Sequence, residues 1–268
     1  MKKNGLFAKV YLIFLLVLMY LPIITVVLFS FNASTARTPT VYTGFTTRWY
    51  GELFSDKRGF GDAMRTTLLV AFFSVFLSTV LGALGAIGQT RALAKKKGVA
   101  SMLSGLMENI VILPIMLPEI ILGVSFMLLF SALKLPSGLL TLVLAHTTFC
   151  VPYVYLLVKS RLATIGEEYF LAARDLGASP GKALCTVTLP LILPAIFSGA
   201  LLALAMSLDD FLISFFVSGA NTTTLPLKIY SSVRYGVSPQ INALCTIMLA
   251  AVFLLVALSQ IVLKKKKR

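Results

Sequence analysis

The sequence predicts an all-α integral membrane protein, on three observations. Of the 268 residues 58% are hydrophobic and only 13% charged, about half the charged share of a soluble domain. The mean hydropathy is +0.92. The apolar residues also gather in long runs, where roughly 18 or more suffice for a spanning helix. These runs are Val10–Phe31, Thr66–Ile87, Leu103–Leu133 (interrupted by Glu108 and Glu119), Leu139–Val158, Leu189 to about Val217, and Ile241–Leu263, giving six predicted transmembrane helices.

The first run is too long for a signal-peptide core and passes Pro22 without a small-residue cleavage site, so it is expected to be retained. Cys150, Cys185 and Cys245 have no metal-ligand spacing and read as packing residues. The net charge of +14 does not point to nucleic acid, because the basic residues flank the spans. With the amino terminus inside, 16 of the 24 Lys and Arg fall on the cytoplasmic side, among them Lys2, Lys3, Lys9, Arg91, Lys95 to Lys97 and Lys264 to Arg268. The positive-inside rule therefore places both termini in the cytoplasm.

Residues 1–268 read as a single membrane domain without repeats or long linkers. The outer loop from Asn32 to Arg65 carries turn formers and Trp49 beside Tyr50, which suits an external helix–loop segment with an interfacial aromatic anchor. The basic turn around Lys95–Lys97 marks the cytoplasmic face.

The loop at 159–188 prescribes its backbone. Thr164 and Glu167 have capping-box spacing, predicting a helix start. Tyr169, Ala172, Ala173 and Leu176 follow helical periodicity and form a narrow face. Gly177 is placed to end that helix in the left-handed conformation, Ser179 to cap the next, and Pro180 to occupy its first turn. Two alanines hold lipid poorly but let a protein surface approach closely.

At these residues the chain resembles the transmembrane subunits of bacterial ABC importers, whose loop reads E-A-A, three residues, Gly, nine residues, I-x-L-P. Here Leu171-Ala172-Ala173, Gly177 and Val187-Thr188-Leu189-Pro190 keep the spacing, with Leu171 in place of the acidic residue and Glu167 and Glu168 one turn earlier. The resemblance implies the importer permease (MetI-like) fold, with a coupling helix (Glu168, Leu171, Ala172, Ala173, Gly177, Pro190) that docks on an ATP-hydrolysing subunit. The segments 145–154, 207–219 and 225–244 look like PotC-type permeases of spermidine/putrescine importers. That likeness implies a polyamine substrate, a second permease, a pair of ATPase subunits, an extracellular polyamine-binding protein, and a place in a bacterial cytoplasmic membrane. Importers of other small solutes such as thiamine, iron or phosphonate are the nearest alternative.

Ionisable groups in a span are costly and so are candidates for function. Glu119, Asp209 and Asp210 are expected at comparable depth, against the alternatives of pairing with Arg65, Lys134 or Arg234 or of interfacial exposure. A polyamine carries ammonium groups separated by methylenes, so carboxylates and aromatic faces suit it; Phe149, Tyr153 and Phe211 are the aromatic candidates. His146, the single histidine, reads as a neutral side chain hydrogen-bonded to a neighbouring helix. No G-x-x-x-x-G-K-[ST] loop occurs, so ATP and its Mg are expected on a partner and the chain itself is expected to be non-catalytic. An intramembrane metalloenzyme built on Asp209 and Asp210 lacks further ligands, and a passive channel would have no use for a docking loop.

Overall fold

Prolines and small residues decide where the apolar runs become helices in the computed structural model, which describes residues 4–55, 59–93 and 99–265. Lys2, Lys3, Lys57, Arg58, Lys95 to Lys97 and residues 266–268, used above for loop assignment or orientation, lie outside the described residues. Contacts within the chain gather in two units, one formed by residues up to Gly61 with those from Lys228 onward, the other by Asp62–Leu227.

In the first unit, α1 (Asn4–Ser30) is followed by the short α2 (Arg48–Phe54). Apolar side chains from Phe7 to Leu28 are exposed along α1, as suits a helix whose solvent is lipid. Between the two helices Asn32 is fully buried and organises the loop. Its side chain donates to the Val41 carbonyl (2.9 Å) and accepts from the Thr43 amide (2.9 Å) and hydroxyl (3.0 Å), beside an isolated bridge to Phe45. Trp49 donates from Nε1 to the Asn32 carbonyl at 2.7 Å and is only 7% exposed. A helix–loop segment is therefore present, and its tryptophan closes a local core instead of standing exposed as an anchor.

The second unit holds α3 (Phe60–Leu93, from its third residue), α4 (Val99–Met116), α5 (Glu119–Ala132) and α6 (Leu139–Ile165). After these come α7 (Glu168–Asp175), α8 (Pro180–Ala183), a π-helical turn (Leu184–Thr188), α9 (Leu189–Asp209) and α10 (Leu212–Val217). α11 (Leu225–Val233) follows in the chain, and α12 (Pro239–Lys265) belongs to the first unit. α6 is the central post, with Leu142, Cys150, Val154 and Val158 fully buried. Gly82 of α3 and Gly199 of α9 both lie against Val154: a Cβ on Gly82 would come within 2.8 Å of the valine Cβ, and one on Gly199 within 3.1 Å of its Cα. Small residues at these points let the helices approach closely, the usual means of helix packing in lipid.

Two of the six predicted spans are interrupted. The third run bends by 109° between α4 and α5, because Pro118 takes the extended conformation (ψ 134°) and disfavours helix at the residue before it. The fifth run stops at Asp209, Asp210 is extended (ψ 123°), and α10 starts afresh. Among the described residues four helices are long and apolar enough to cross a membrane, five if the bent pair counts as one span. α12 contributes a further apolar stretch over Pro239–Ala250.

Candidate functional site

The loop between α6 and α9 is built from local backbone chemistry. α6 runs two residues further than Glu-Thr spacing suggested: Thr164 sits in its last turn and donates to the Ser160 carbonyl at 2.9 Å. The predicted capping box is therefore not formed. Gly166, at φ 72°, ends α6 instead, and α7 starts at Glu168 with no side-chain cap. At the other end of α7 the prediction holds. Gly177 adopts φ 88°, its amide donates to the Arg174 carbonyl (2.9 Å), and the Ala178 amide reaches back to the Ala173 carbonyl (3.0 Å). This pair of bonds is the Schellman arrangement, open to glycine because a left-handed residue with a Cβ is strained. Ser179 then accepts from the Lys182 amide at 3.3 Å, and Pro180 is the first residue of α8.

No residue of α7 is buried. Leu171 and Leu176 are 52% and 90% exposed, Glu168 and Ala172 are exposed, and Ala173 is half-buried. These apolar side chains stand exposed on α7 and its C-terminal cap. From Pro180 to Asp209 the chain is helical without a break, through α8, the π turn and α9. Pro190 lies inside this continuous helix directly after the π turn, where its missing amide removes one backbone donor. At 1.5 Å per residue this rod is about 45 Å long, with the exposed turn at one end and Asp209 at the other.

The predicted carboxylates stand at the two helix breaks. Glu119, the first residue of α5, lies within electrostatic range of both Asp209 and Asp210, and Tyr153 of α6 is in range of Glu119. Phe149 stacks edge-on against Tyr153 at 5.5 Å between centroids. Phe149 is nevertheless 3% exposed and belongs to the core, whereas Tyr153 and Phe211 are half-buried, with Phe211 tilted against Phe215 at 5.8 Å.

The two aspartates have opposite environments. Asp209 is exposed. Asp210 is buried, and its carboxylate accepts from the Ile213 amide (3.1 Å), the Ser214 amide (2.8 Å) and the Ser214 hydroxyl (2.8 Å), with His146 Nε2 at 3.2 Å. Its partner is therefore His146, not Arg65, Lys134 or Arg234. The other imidazole nitrogen lies 2.9 Å from the Ser207 hydroxyl, itself 3.2 Å from that of Ser74. The histidine is thus hydrogen-bonded across helices, as the sequence suggested, but into a network whose serines the sequence reading missed. Ser207, Asp210 and Ser214 recur at i, i+3 and i+7 in an apolar run, a polar stripe that would have marked it. A second missed pair joins Lys159 of α6 to Glu108 of α4, with Gln89 of α3 donating to the same carboxylate at 3.2 Å.

Long apolar helices, with breaks at Pro118–Glu119 and at Asp209–Asp210, mark a multi-pass membrane protein. Residues 92–268 match the family described as "Binding-protein-dependent transport system inner membrane component", and the chain belongs to it. Among its relatives is the "Putrescine transport system permease protein PotI" of Escherichia coli K12, 41% identical over 87% of this chain and 82% of that one. The "Spermidine/putrescine transport system permease protein PotC" of Haemophilus influenzae is 40% identical over 92% of each chain. In fold the chain is similar to a chain from the crystal structure of a bacterial ABC transporter involved in the import of the acidic polysaccharide alginate. The TM-score is 0.71 at 18% identity, covering 97% of this chain and 95% of that one. The importer-permease fold is therefore present, and the chain is a multi-pass permease subunit of a binding-protein-dependent transport system of the inner membrane.

Proposed function

We propose that the chain forms half of the translocation path of an ATP-driven polyamine importer, with Glu119 and Asp209 as the carboxylates that meet the ammonium groups. The observation that carries this reading is that Glu119 opens α5 after the bend at Pro118 and Asp209 closes α9 at the second break, in a chain whose relatives bear putrescine and spermidine permease names. Carboxylates gathered in a low-dielectric region repel one another, so a cation relieves them. The Tyr153 ring accepts a methylene or an ammonium on its face. Asp210, fully engaged by His146 and the start of α10, supports the path without lining it.

In this proposal the exposed turn at Gly177 faces the cytoplasm and docks on a partner that binds and hydrolyses ATP; a second permease completes the path, and an external binding protein delivers the polyamine. Closure of the ATPase pair pushes the turn. The rod from Pro180 to Asp209 carries that displacement to the carboxylates and changes which side of the membrane they serve. Leu171 and Leu176 make the docking contact apolar where the family pattern has an acidic residue.

Uptake of labelled putrescine and spermidine into vesicles containing the assembled transporter tests this reading. ATP-dependent accumulation that falls with Asp209→Asn and Glu119→Gln is the expected result. Accumulation of a neutral or anionic solute in preference to both amines would overturn it.

A further inference from the structure

The break between α9 and α10 has no helix breaker in it. Residues 207–214 read Ser-Leu-Asp-Asp-Phe-Leu-Ile-Ser, with neither Gly nor Pro, and an apolar helix would by its own propensity run through. What stops it is the Asp210 carboxylate, which takes the amides of Ile213 (3.1 Å) and Ser214 (2.8 Å) at the start of α10. Such capping is the ordinary use of an aspartate, but here the side chain is 2% exposed, and a buried carboxylate persists only with further partners.

Those partners are the Ser214 hydroxyl and His146. An ionised carboxylate only accepts hydrogen bonds, so His146 carries its proton on Nε2, shared between Asp210 Oδ2 at 3.2 Å and the Ser214 oxygen at 3.1 Å. Nδ1 is then the acceptor for the Ser207 hydroxyl at 2.9 Å, and Ser74 of α3 closes the chain at 3.2 Å from Ser207. Three long helices, α3, α6 and α9, are thus tied to one carboxylate. That carboxylate adjoins Asp209, the last residue of the rod.

We propose that His146 is a positioning residue for the cation path: by holding Asp210 at the break, it fixes the direction in which Asp209 leaves the end of α9 beside Glu119. This rests on the reading of Asp209 and Glu119 as the carboxylates that meet the substrate's ammonium groups. Without the imidazole N–H, the buried Asp210 loses its principal donor from α6, and the chain relaxes toward a continuous helix or a rotated one. A helix advances about 100° per residue, so a slip of one residue at the break swings Asp209 away from Glu119. His146 touches no substrate in this scheme; it acts through Asp210 on Asp209.

The test compares His146→Gln with His146→Asn in vesicles holding the assembled transporter, reading polyamine taken up per ATP hydrolysed. A glutamine amide nitrogen reaches the place of Nε2 and keeps the donor to Asp210; an asparagine reaches only the place of Nδ1. Loss of a hydrogen bond to a charged group makes the expected fall for His146→Asn roughly tenfold, with His146→Gln within about threefold of the parent. The His146→Asn/Asp209→Asn double variant is expected to transport no less than Asp209→Asn alone, since residues acting through one another are not additive. Equal losses in His146→Gln and His146→Asn, or losses that multiply in the double variant, overturn the positioning role. If His146→Asn fails to assemble, Ser207→Ala serves, with uptake per ATP expected to fall about two- to threefold and an unchanged ratio counting against the proposal. Normal uptake in both Asp209→Asn and Glu119→Gln removes the path itself, and the positioning role with it. Reduced uptake in those two beside a normal His146→Asn removes only the positioning role.

Discussion

At its loop end the rod from Pro180 to Asp209 is fixed by residues adjacent in the chain, whereas at its carboxylate end it is fixed by a side chain distant in the chain. Gly177, Ser179 and Pro180 each perform a backbone task that their own chemistry prescribes. Asp210 depends on His146, which in turn bonds Ser207 and Ser214, 61 and 68 residues away. A locally fixed turn keeps its shape while it is pushed and pulled by a partner. A break fixed by tertiary contacts can instead change when its helices move, which is what a gate requires.

The sharpest way to break the comparison is at the buried pair. Removing one member of a buried pair leaves the other uncompensated, at about 3–5 kcal/mol, so Asp210→Ala is expected to lower the thermal stability and yield of the complex more than any change at the exposed turn. Gly177→Leu comes next in transport: forcing φ 88° on a residue with a Cβ costs roughly 1–2 kcal/mol locally. It is expected to abolish most uptake while membrane insertion, followed by fractionation, stays normal. Leu176→Glu replaces the apolar side chain at the C-cap of α7 (90% exposed) and is expected to weaken co-purification of the ATPase partner severalfold, roughly the effect of losing 1 kcal/mol or more at an apolar anchor. Its effect on the stability of the permease itself should stay within about 0.5 kcal/mol. Ser179→Ala removes one side-chain cap, at about 1 kcal/mol, and should reduce uptake least, since Pro180 still starts α8.

The same contrast explains what could be read from the sequence. The Schellman turn, the Ser179 cap and the Pro180 start were legible, because glycine, serine and proline declare their backbone roles wherever they stand. The Thr164–Glu167 spacing misled because a threonine in a last helical turn can bond its own i−4 carbonyl as readily as it caps a new helix, and α6 simply continued until Gly166. The bend at Pro118 was signalled by the proline, but not its size: 109° depends on what α4 and α5 pack against. That Glu119 and the aspartates fall within apolar runs was legible from the sequence alone. That Asp210 is buried and fully hydrogen-bonded while Asp209 is exposed was not legible, since adjacent identical residues are separated only by the direction each takes at a helix break.

The rod itself is most directly tested by softening it between its two ends. Leu201→Gly/Leu202→Gly, two exposed positions within α9 away from both α7 and the carboxylates, adds flexibility between the two ends, at a helix cost of about 1 kcal/mol per glycine. In vesicles with the assembled transporter, ATP hydrolysis stimulated by the loaded binding protein should persist while polyamine imported per ATP falls severalfold, the signature of a push that no longer reaches Asp209. An unchanged ratio of polyamine to ATP in that variant would contradict transmission along the helix from Pro180 to Asp209.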